Sequence, residues 1–296
     1  MIIVKLWGGM CNQMFQYAFG YALARKHNDD LAFDIDFYKN QPGHVGKRKV
    51  ISPDDFTLSK LIFAERPAIV KIFENKYINH ILRYSVGCKL SISGVHFLLE
   101  QHCHYYETVP YKQGRINYYD GYWQTALYSD PYKNELLREF TPSKKVLEHI
   151  KRWKESFGNK ELIAVHIRRG DYLNKANVGN AASVYGVADY YWRAIKWIEE
   201  RVEKPMFCFF SDDIGWCKEQ FENKLQHVTF VENGKDDFAA IVDLFTMAAC
   251  DHEIMSPSSF SWFGNWLRDP SKKSIVLYPK IKEKNKNLND LSWIGI

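Results

Sequence analysis

Apolar and polar positions fall into blocks along this chain. Residues 2–6 are apolar enough for a buried strand. Gly8-Gly9 reads as a turn, and a helix is predicted over 11–27. There Met14, Phe15, Ala18, Ala22 and Lys26 recur at helical spacing, Lys26 through its aliphatic stem. Leu31-Ala32-Phe33 reads as a second strand, so the chain opens with the β-turn-α-β unit of parallel sheets. Residues 35–115 carry less pattern: Pro42-Gly43, 46–49 and Pro53 mark loops, and 57–85 reads as largely helical. Gly121-Tyr122-Trp123-Gln124 is an aromatic cluster with one amide. A helix around 131–140 stops before Thr141-Pro142, the preferred hinge, which divides the chain into 1–142 and 143–296.

The second half alternates regularly. Strands are predicted at 162–167, 206–210, 228–231, 253–255 and 274–278. Helices are predicted at 188–203, through Phe221, over 236–249 and from Ser258-Ser259 onward. The helix over 236–249 places Phe238, Ile241, Val242, Phe245, Ala248 and Ala249 on one face, with Asp243 opposite. Five strands alternating with helices predict a doubly wound parallel sheet.

Composition narrows the class without changing this picture. The chain of 296 residues is 46% hydrophobic and 25% charged, the balance of a globular protein. Its net charge of +5 is partly local, because Lys280, Lys282, Lys284 and Lys286 alternate near the C-terminus. Such a run is a solvated face or a peripheral contact with an anionic membrane surface. No nucleic-acid motif accompanies it, so nucleic acid is not an expected partner. Six scattered cysteines lack zinc-ligand spacing. With no signal peptide, long apolar span or glycosylation sequon, they fit a reducing cytoplasm.

The chemistry gathers where predicted strands run out. His166-Ile167-Arg168-Arg169-Gly170-Asp171 follows the strand at 162–167, Ser211-Asp212-Asp213 follows the next, and Ser256 to Trp262 follows the strand at 253–255. In an open α/β sheet these ends share one edge, where ligands bind. Arginine forks suit phosphate oxygens, and hydroxyls with free N–H groups at a helix start make an anion site, so a diphosphate is the expected ligand. The alternative is an ion pair of Arg168 or Arg169 with Asp171 that pins the loop, with the serines as ordinary caps. The Gly8-Gly9 turn is neither GxGxxG nor a Walker A loop. Gly9 allows close backbone approach to a ligand, and Asn12 and Gln13 add polar groups there.

The runs HIRRGDY, FFSDDIGWCKE and DLFTMAACDHEIMSPSSFSWFGNWL, with LWGGMCNQMFQYAFGYALA and DGYWQTALY before them, resemble the bacterial and animal α-1,2-fucosyltransferases of glycosyltransferase family 11. The likeness leaves mainly 40–115 unmatched, and Cys11 stands where the family has glycine. The resemblance implies an α/β fold of GT-B type, two Rossmann-like domains facing across a cleft, with 1–142 on the acceptor side and 143–296 binding GDP-fucose. It implies inverting transfer of L-fucose from GDP-β-L-fucose to the 2-hydroxyl of a terminal β-galactoside. The acceptor would be an oligosaccharide or lipid-linked glycan, as in O-antigen synthesis, and no cofactor or metal is expected. Arg168 or Arg169 would neutralise the diphosphate, Ser258, Ser259 and Phe260 would contact the same phosphates, and Asp243 would recognise guanine.

Asp171 is the candidate general base or an orienter of an arginine, and Asn12 would position acceptor or phosphate. His166 touches donor ribose or phosphate, or is structural. Tyr122, Trp123 and Gln124 are candidate acceptor residues, Trp123 with core packing as its alternative. Three rivals stand beside this reading: a fucosyltransferase of different linkage, a metal-dependent transferase with Asp212-Asp213 as ligands, and a non-catalytic nucleotide-sugar-binding protein.

Overall fold

The computed structural model describes residues 1–39, 48–85, 87–101, 104–170, 188–234, 237–280 and 292–296. Two compact units meet along the chain between Thr141 and Pro142.

The first unit opens β1 (Ile2–Lys5), α1 (Met10–His27), β2 (Leu31–Asp34) and α2 (Asp36–Lys39). A 3-10 helix at Ala68–Glu74 then leads to α3 (Lys76–Ser85), β3 (Cys88–Ile92), β4 (Val95–Leu99), β5 (Ile116–Asp120), α4 (Ala126–Ser129) and α5 (Lys133–Glu139). The sheet order is β2-β1-β5-β4-β3, parallel except for the β3–β4 hairpin. Residues 57–67 are not helical, so helix occupies less of 57–85 than the apolar pattern predicts.

The expected amphipathicity of α1 is also corrected. Between Cys11 and Leu23 only Asn12 escapes burial, while Lys26 is exposed rather than laid on the core. One side of α1 covers β1 and β2, and Phe19 stacks on Trp123 with ring centroids 4.0 Å apart. Tyr17 and Tyr21 donate to Glu139 and Glu135 of α5 at 2.7 and 2.9 Å. A helix covered on several sides shows no single apolar stripe.

The second unit runs α6 (Lys144–Glu155), β6 (Glu161–Ile167), α7 (Ala188–Glu199), β7 (Pro205–Ser211), α8 (Ile214–Phe221), β8 (Val228–Phe230) and α9 (Asp237–Ala249). It ends with β9 (His252–Ile254), α10 (Ser259–Trp266), β10 (Val276–Tyr278) and β11 (Ile294–Gly295). The order β8-β7-β6-β9-β10-β11 is wholly parallel. Counted within the unit this is the 3-2-1-4-5-6 order of the Rossmann fold, whose ligand crevice lies where the order reverses, here between β6 and β9.

Helix α9 differs from its predicted stripe. Phe238 is exposed under the Lys145 ammonium, while Ala239, Leu244 and Met247 are buried, because α6 and α10 both pack on α9. Gly264 of α10 permits that approach: a Cβ there would lie 2.7 Å from the Met247 sulfur. Among the described residues no helix is long and apolar enough to cross a membrane.

Candidate functional site

At the C-terminal edge of the second unit, β6 delivers His166 as its penultimate residue and Arg168 and Arg169 just beyond. Arg168 pairs with Asp212 (3.0 Å), and Arg169 pairs through Nε with Asp213 (3.1 Å) while its backbone N–H donates to Asp212 at 2.9 Å. The Arg169 guanidinium lies over the Trp216 ring, 4.0 Å from its centroid, and its side chain is only 12% exposed. Asp213 also caps α8 by accepting from the Trp216 N–H at 3.2 Å. The strand-end pair Asp212-Asp213 is thus committed to two arginines and a helix start. The two aspartates hold both arginines at the strand end. Asp171 lies outside the described residues.

From β9 the chain enters 256–261. Ser258 is the N-cap of α10, its Oγ accepting the Phe260 N–H at 3.2 Å, and Ser259 is the first helical residue. Removing the cap hydroxyl in Ser258→Ala is expected to destabilise the unit by ~1 kcal/mol in a urea titration. His166 contributes to this loop from beneath. Its ring is 5% exposed, Nδ1 sits 2.5 Å from Ser261 Oγ, and the Phe260 ring is 5.3 Å away. Ser261 Oγ also accepts the Ser256 N–H at 3.0 Å. Burial, with Arg168 nearby, pushes the His166 pKa down to about 3. Of its two expected roles the structure supports the structural one: a neutral ring latching 256–261 to β6.

Asp243, in the middle of α9, accepts from the Asn233 amide at 2.7 Å just beyond β8. Burial pushes its carboxyl up to about 6, the Asn233 bond partly offsetting that.

The first unit has its own strand-order reversal, between β1 and β5, and the predicted residues at that C-terminal edge sort into two groups. Gln124 Nε2 donates to Asn12 Oδ1 at 2.9 Å, joining two candidates 112 residues apart. Tyr122 packs against Trp7 with the rings tilted by 37° and centroids 4.0 Å apart, and the Arg83 guanidinium lies 5.0 Å from the Trp7 centroid. Trp123, by contrast, is 0% exposed and packed on Phe19, so its expected place in an acceptor site is corrected to the core. Gln13 is a second correction. It is buried, bonded to Lys49 O (3.0 Å) and the Ile51 N–H (2.9 Å), and braces the chain instead of facing the loop.

At the glycine turn the left-handed residue is Gly8 (φ 86°), where a Cβ would come within 2.8 Å of Asn12 Nδ2. Gly9 is extended (φ −79°) and caps α1 without a side-chain bond, so it presents open backbone at the start of an 18-residue helix. Cys11 is helical and buried there, so its position requires no glycine.

The 121–124 turn is held from both sides. Gly121 O accepts from Trp7 Nε1 (3.2 Å) and Gln16 Nε2 (3.1 Å). Beneath it the Glu100 carboxylate accepts the N–H groups of Tyr122 (2.6 Å) and Trp123 (3.1 Å). Burial pushes Glu100 up to about 7, against the lowering effect of those bonds. Beside it Asp120 bridges Lys5 (2.9 Å) and Arg83 (2.7 Å). Sequence reading missed Trp7, Glu100 and the Trp216 stack. The signal for Glu100 was a carboxylate closing an apolar run, Val95 to Leu99.

Comparison with known proteins places the chain. The profile of the family described as Glycosyl transferase family 11 matches residues 1–296. An Escherichia coli alpha-1,2-colitosyltransferase is 32% identical over 90% of this chain and 88% of its own length. The O-antigen biosynthesis glycosyltransferase WbnK of Escherichia coli is 28% identical over 98% and 99%. In fold, the crystal structure of the fucosyltransferase NodZ from Bradyrhizobium superposes with a TM-score of 0.59 at 13% identity, over 92% of this chain and 95% of that one.

Proposed function

The chain belongs to glycosyltransferase family 11 and has the two-unit GT-B fold; from that premise we propose that it transfers L-fucose from GDP-β-L-fucose, with inversion, to the 2-hydroxyl of a terminal β-galactoside during bacterial surface-glycan synthesis. The observation that carries this reading is the paired arrangement of Arg168 and Arg169 on Asp212 and Asp213 beside the start of α10, at the reversal point of the Rossmann-ordered sheet. The second unit takes the donor. Its arginines and the first N–H groups of α10 hold the diphosphate, with Ser258, Ser259 and Phe260 around it. Asp243 accepts from the N–H edge of guanine, its Asn233 partner fixing the carboxylate.

As galactose O2 attacks the anomeric carbon, the bond to GDP breaks on the opposite face and charge grows on the β-phosphate. Fixed guanidinium groups and a helix start favour that charge more in the transition state than in the ground state. Asp171 is the proposed base that takes the O2 proton. In the first unit Asn12 and Gln124 offer amide hydrogen bonds to sugar hydroxyls, Tyr122 an aromatic face, and Gly9 open backbone. The residues assigned to the phosphates are arginines and serines, so turnover is proposed to need no metal. Peripheral contact of the lysine-rich tail with a membrane, and a lipid-linked acceptor, belong to the same proposal.

A second reading changes only the donor sugar: the 32% identity to an alpha-1,2-colitosyltransferase favours colitosyl transfer. One experiment tests both. The protein is incubated with GDP-fucose or GDP-colitose and a panel of β-galactosides, with and without chelator, and the product linkage is determined. The proposal expects an α-1,2-fucosylated product in either condition. Transfer from GDP-colitose alone establishes the second reading, and GDP-fucose left intact with every acceptor overturns the first.

A further inference from the structure

The first unit carries a cavity at the end of its sheet opposite the 121–124 turn. The β3–β4 hairpin reverses at Ser93 and Gly94, and beside it lies a cavity of about 260 Å³ whose lining includes Ser91, His96, Lys112 and Arg115. It adjoins the start of β4, whereas Glu100 follows the end of the same strand, ~15 Å away at strand rise.

His96 is 2% exposed. Its Nδ1 lies 2.7 Å from the hydroxyl of Ser91, its cross-strand partner, but its Nε2 is buried without any hydrogen-bond partner. A buried ring nitrogen is a costly group to leave unmatched, and such atoms call for a ligand or water. The backbone that carries the neighbouring cations is held in place. Asn117 accepts the Lys112 N–H at 2.8 Å and donates to the Lys112 and Arg115 carbonyls at 2.9 and 3.2 Å, fixing the loop that bears both side chains. Arg115 reaches the hairpin, its Nη1 3.8 Å from where a Gly94 Cβ would stand. The lining contains no carboxylate, and neither cation forms an ion pair among the described residues. Burial, and then the positive charges of Lys112 and Lys89, hold the His96 pKa below its ordinary value.

We propose that this cavity is a second binding site, separate from both C-terminal sheet edges, for a small oxyanion of the phosphate-monoester class. Lys112 and Arg115 supply the charge and the Ser91 hydroxyl a hydrogen bond, with the His96 ring behind that hydroxyl through Nδ1.

The test uses the whole protein saturated with GDP, so that phosphate cannot report on the donor diphosphate site. Inorganic phosphate is titrated at constant ionic strength against chloride while the His96 ring nitrogens are followed by NMR, their signals assigned with His96→Gln. A saturable shift of those signals is expected. Both cations are exposed, so the double variant Lys112→Ala/Arg115→Ala keeps its fold; its Kd for phosphate is expected to rise at least tenfold. A sedimentation arm with phosphatidylcholine vesicles, with and without phosphatidic acid, identifies the source. Binding to phosphatidic acid that the double variant loses points to a lipid headgroup, and phosphate binding without vesicle binding points to a soluble ligand; either upholds the site. No saturable His96 shift with phosphate, or an unchanged Kd in the double variant, overturns it.

Discussion

Arg169→Ala is expected to lower kcat/KM for glycosyl transfer by ~10²–10³, the loss that follows removal of one preorganised donor facing developing negative charge, or ~2.7–4 kcal/mol of transition-state stabilisation. Arg169 is the better immobilised of the two arginines. Its Nε is engaged by Asp213, its plane rests on Trp216, and among the described residues its two terminal nitrogens have no acceptor. Arg169→Lys is expected to recover little, because an ammonium has neither the fork nor the flat face that the Trp216 stack requires. Arg168→Ala is expected to lose activity in the same direction but by less, since that side chain is 35% exposed and its charge partly screened. Steady-state kinetics on folded variants, with GDP binding measured separately, distinguish lost catalysis from lost affinity. Near-normal turnover in both alanine variants would remove the diphosphate role from this loop.

The second large effect concerns stability. Asp120→Asn is expected to destabilise the first unit by ~3–5 kcal/mol, because it leaves the buried Arg83 and the largely buried Lys5 without their shared counter-charge. Burial alone would raise the Asp120 pKa, but Lys5 and Arg83 outweigh it and hold the carboxyl down at about 2. For an acid depressed in the folded state, the contribution is fully present above the unfolded value near 4 and is lost as pH falls toward about 2. The gap between wild type and Asp120→Asn in urea titrations should therefore be constant near neutral pH and narrow, by about 2–3 kcal/mol, between about pH 4 and 2. A gap that stays the same across that window would mean the carboxylate charge is not what the two cations require.

How far these features could be read in advance depended on burial geometry. The strands of the second unit are covered on both faces, so they appear as uninterrupted apolar runs such as Leu162 to Val165 and Met206 to Phe210, and the ends of those runs located the arginine and serine loops. The first unit resisted for opposite reasons. In β3 burial alternates and one face is exposed, which leaves little apolar signal, and β4 sits in a segment broken by turns. Helix α1 disguised its surroundings because Gln13 and Gln16 are polar yet buried, each amide satisfied by backbone groups of distant residues. Residue types singled out the two arginines, but not the aspartates that pair with them. Asp212-Asp213 is equally well written for a metal, a solvated turn or an arginine pair, and the pairing with the arginines follows from β7 lying beside β6.

The position of β1 in its sheet has a consequence for how the protein is made. Its neighbours are β2, close behind in sequence, and β5, which supplies Asp120 to Lys5 from 115 residues away. A ribosome thus releases this interior strand long before its second partner exists. Until then one hydrogen-bonding edge of β1 has no strand to pair with, and the Trp7 indole N–H lacks its Gly121 acceptor. Such distant pairing slows folding and prolongs exposure of an unpaired edge. Nascent chains halted before residue 116 should therefore be the species most dependent on chaperones, and release of the next few residues should end that dependence.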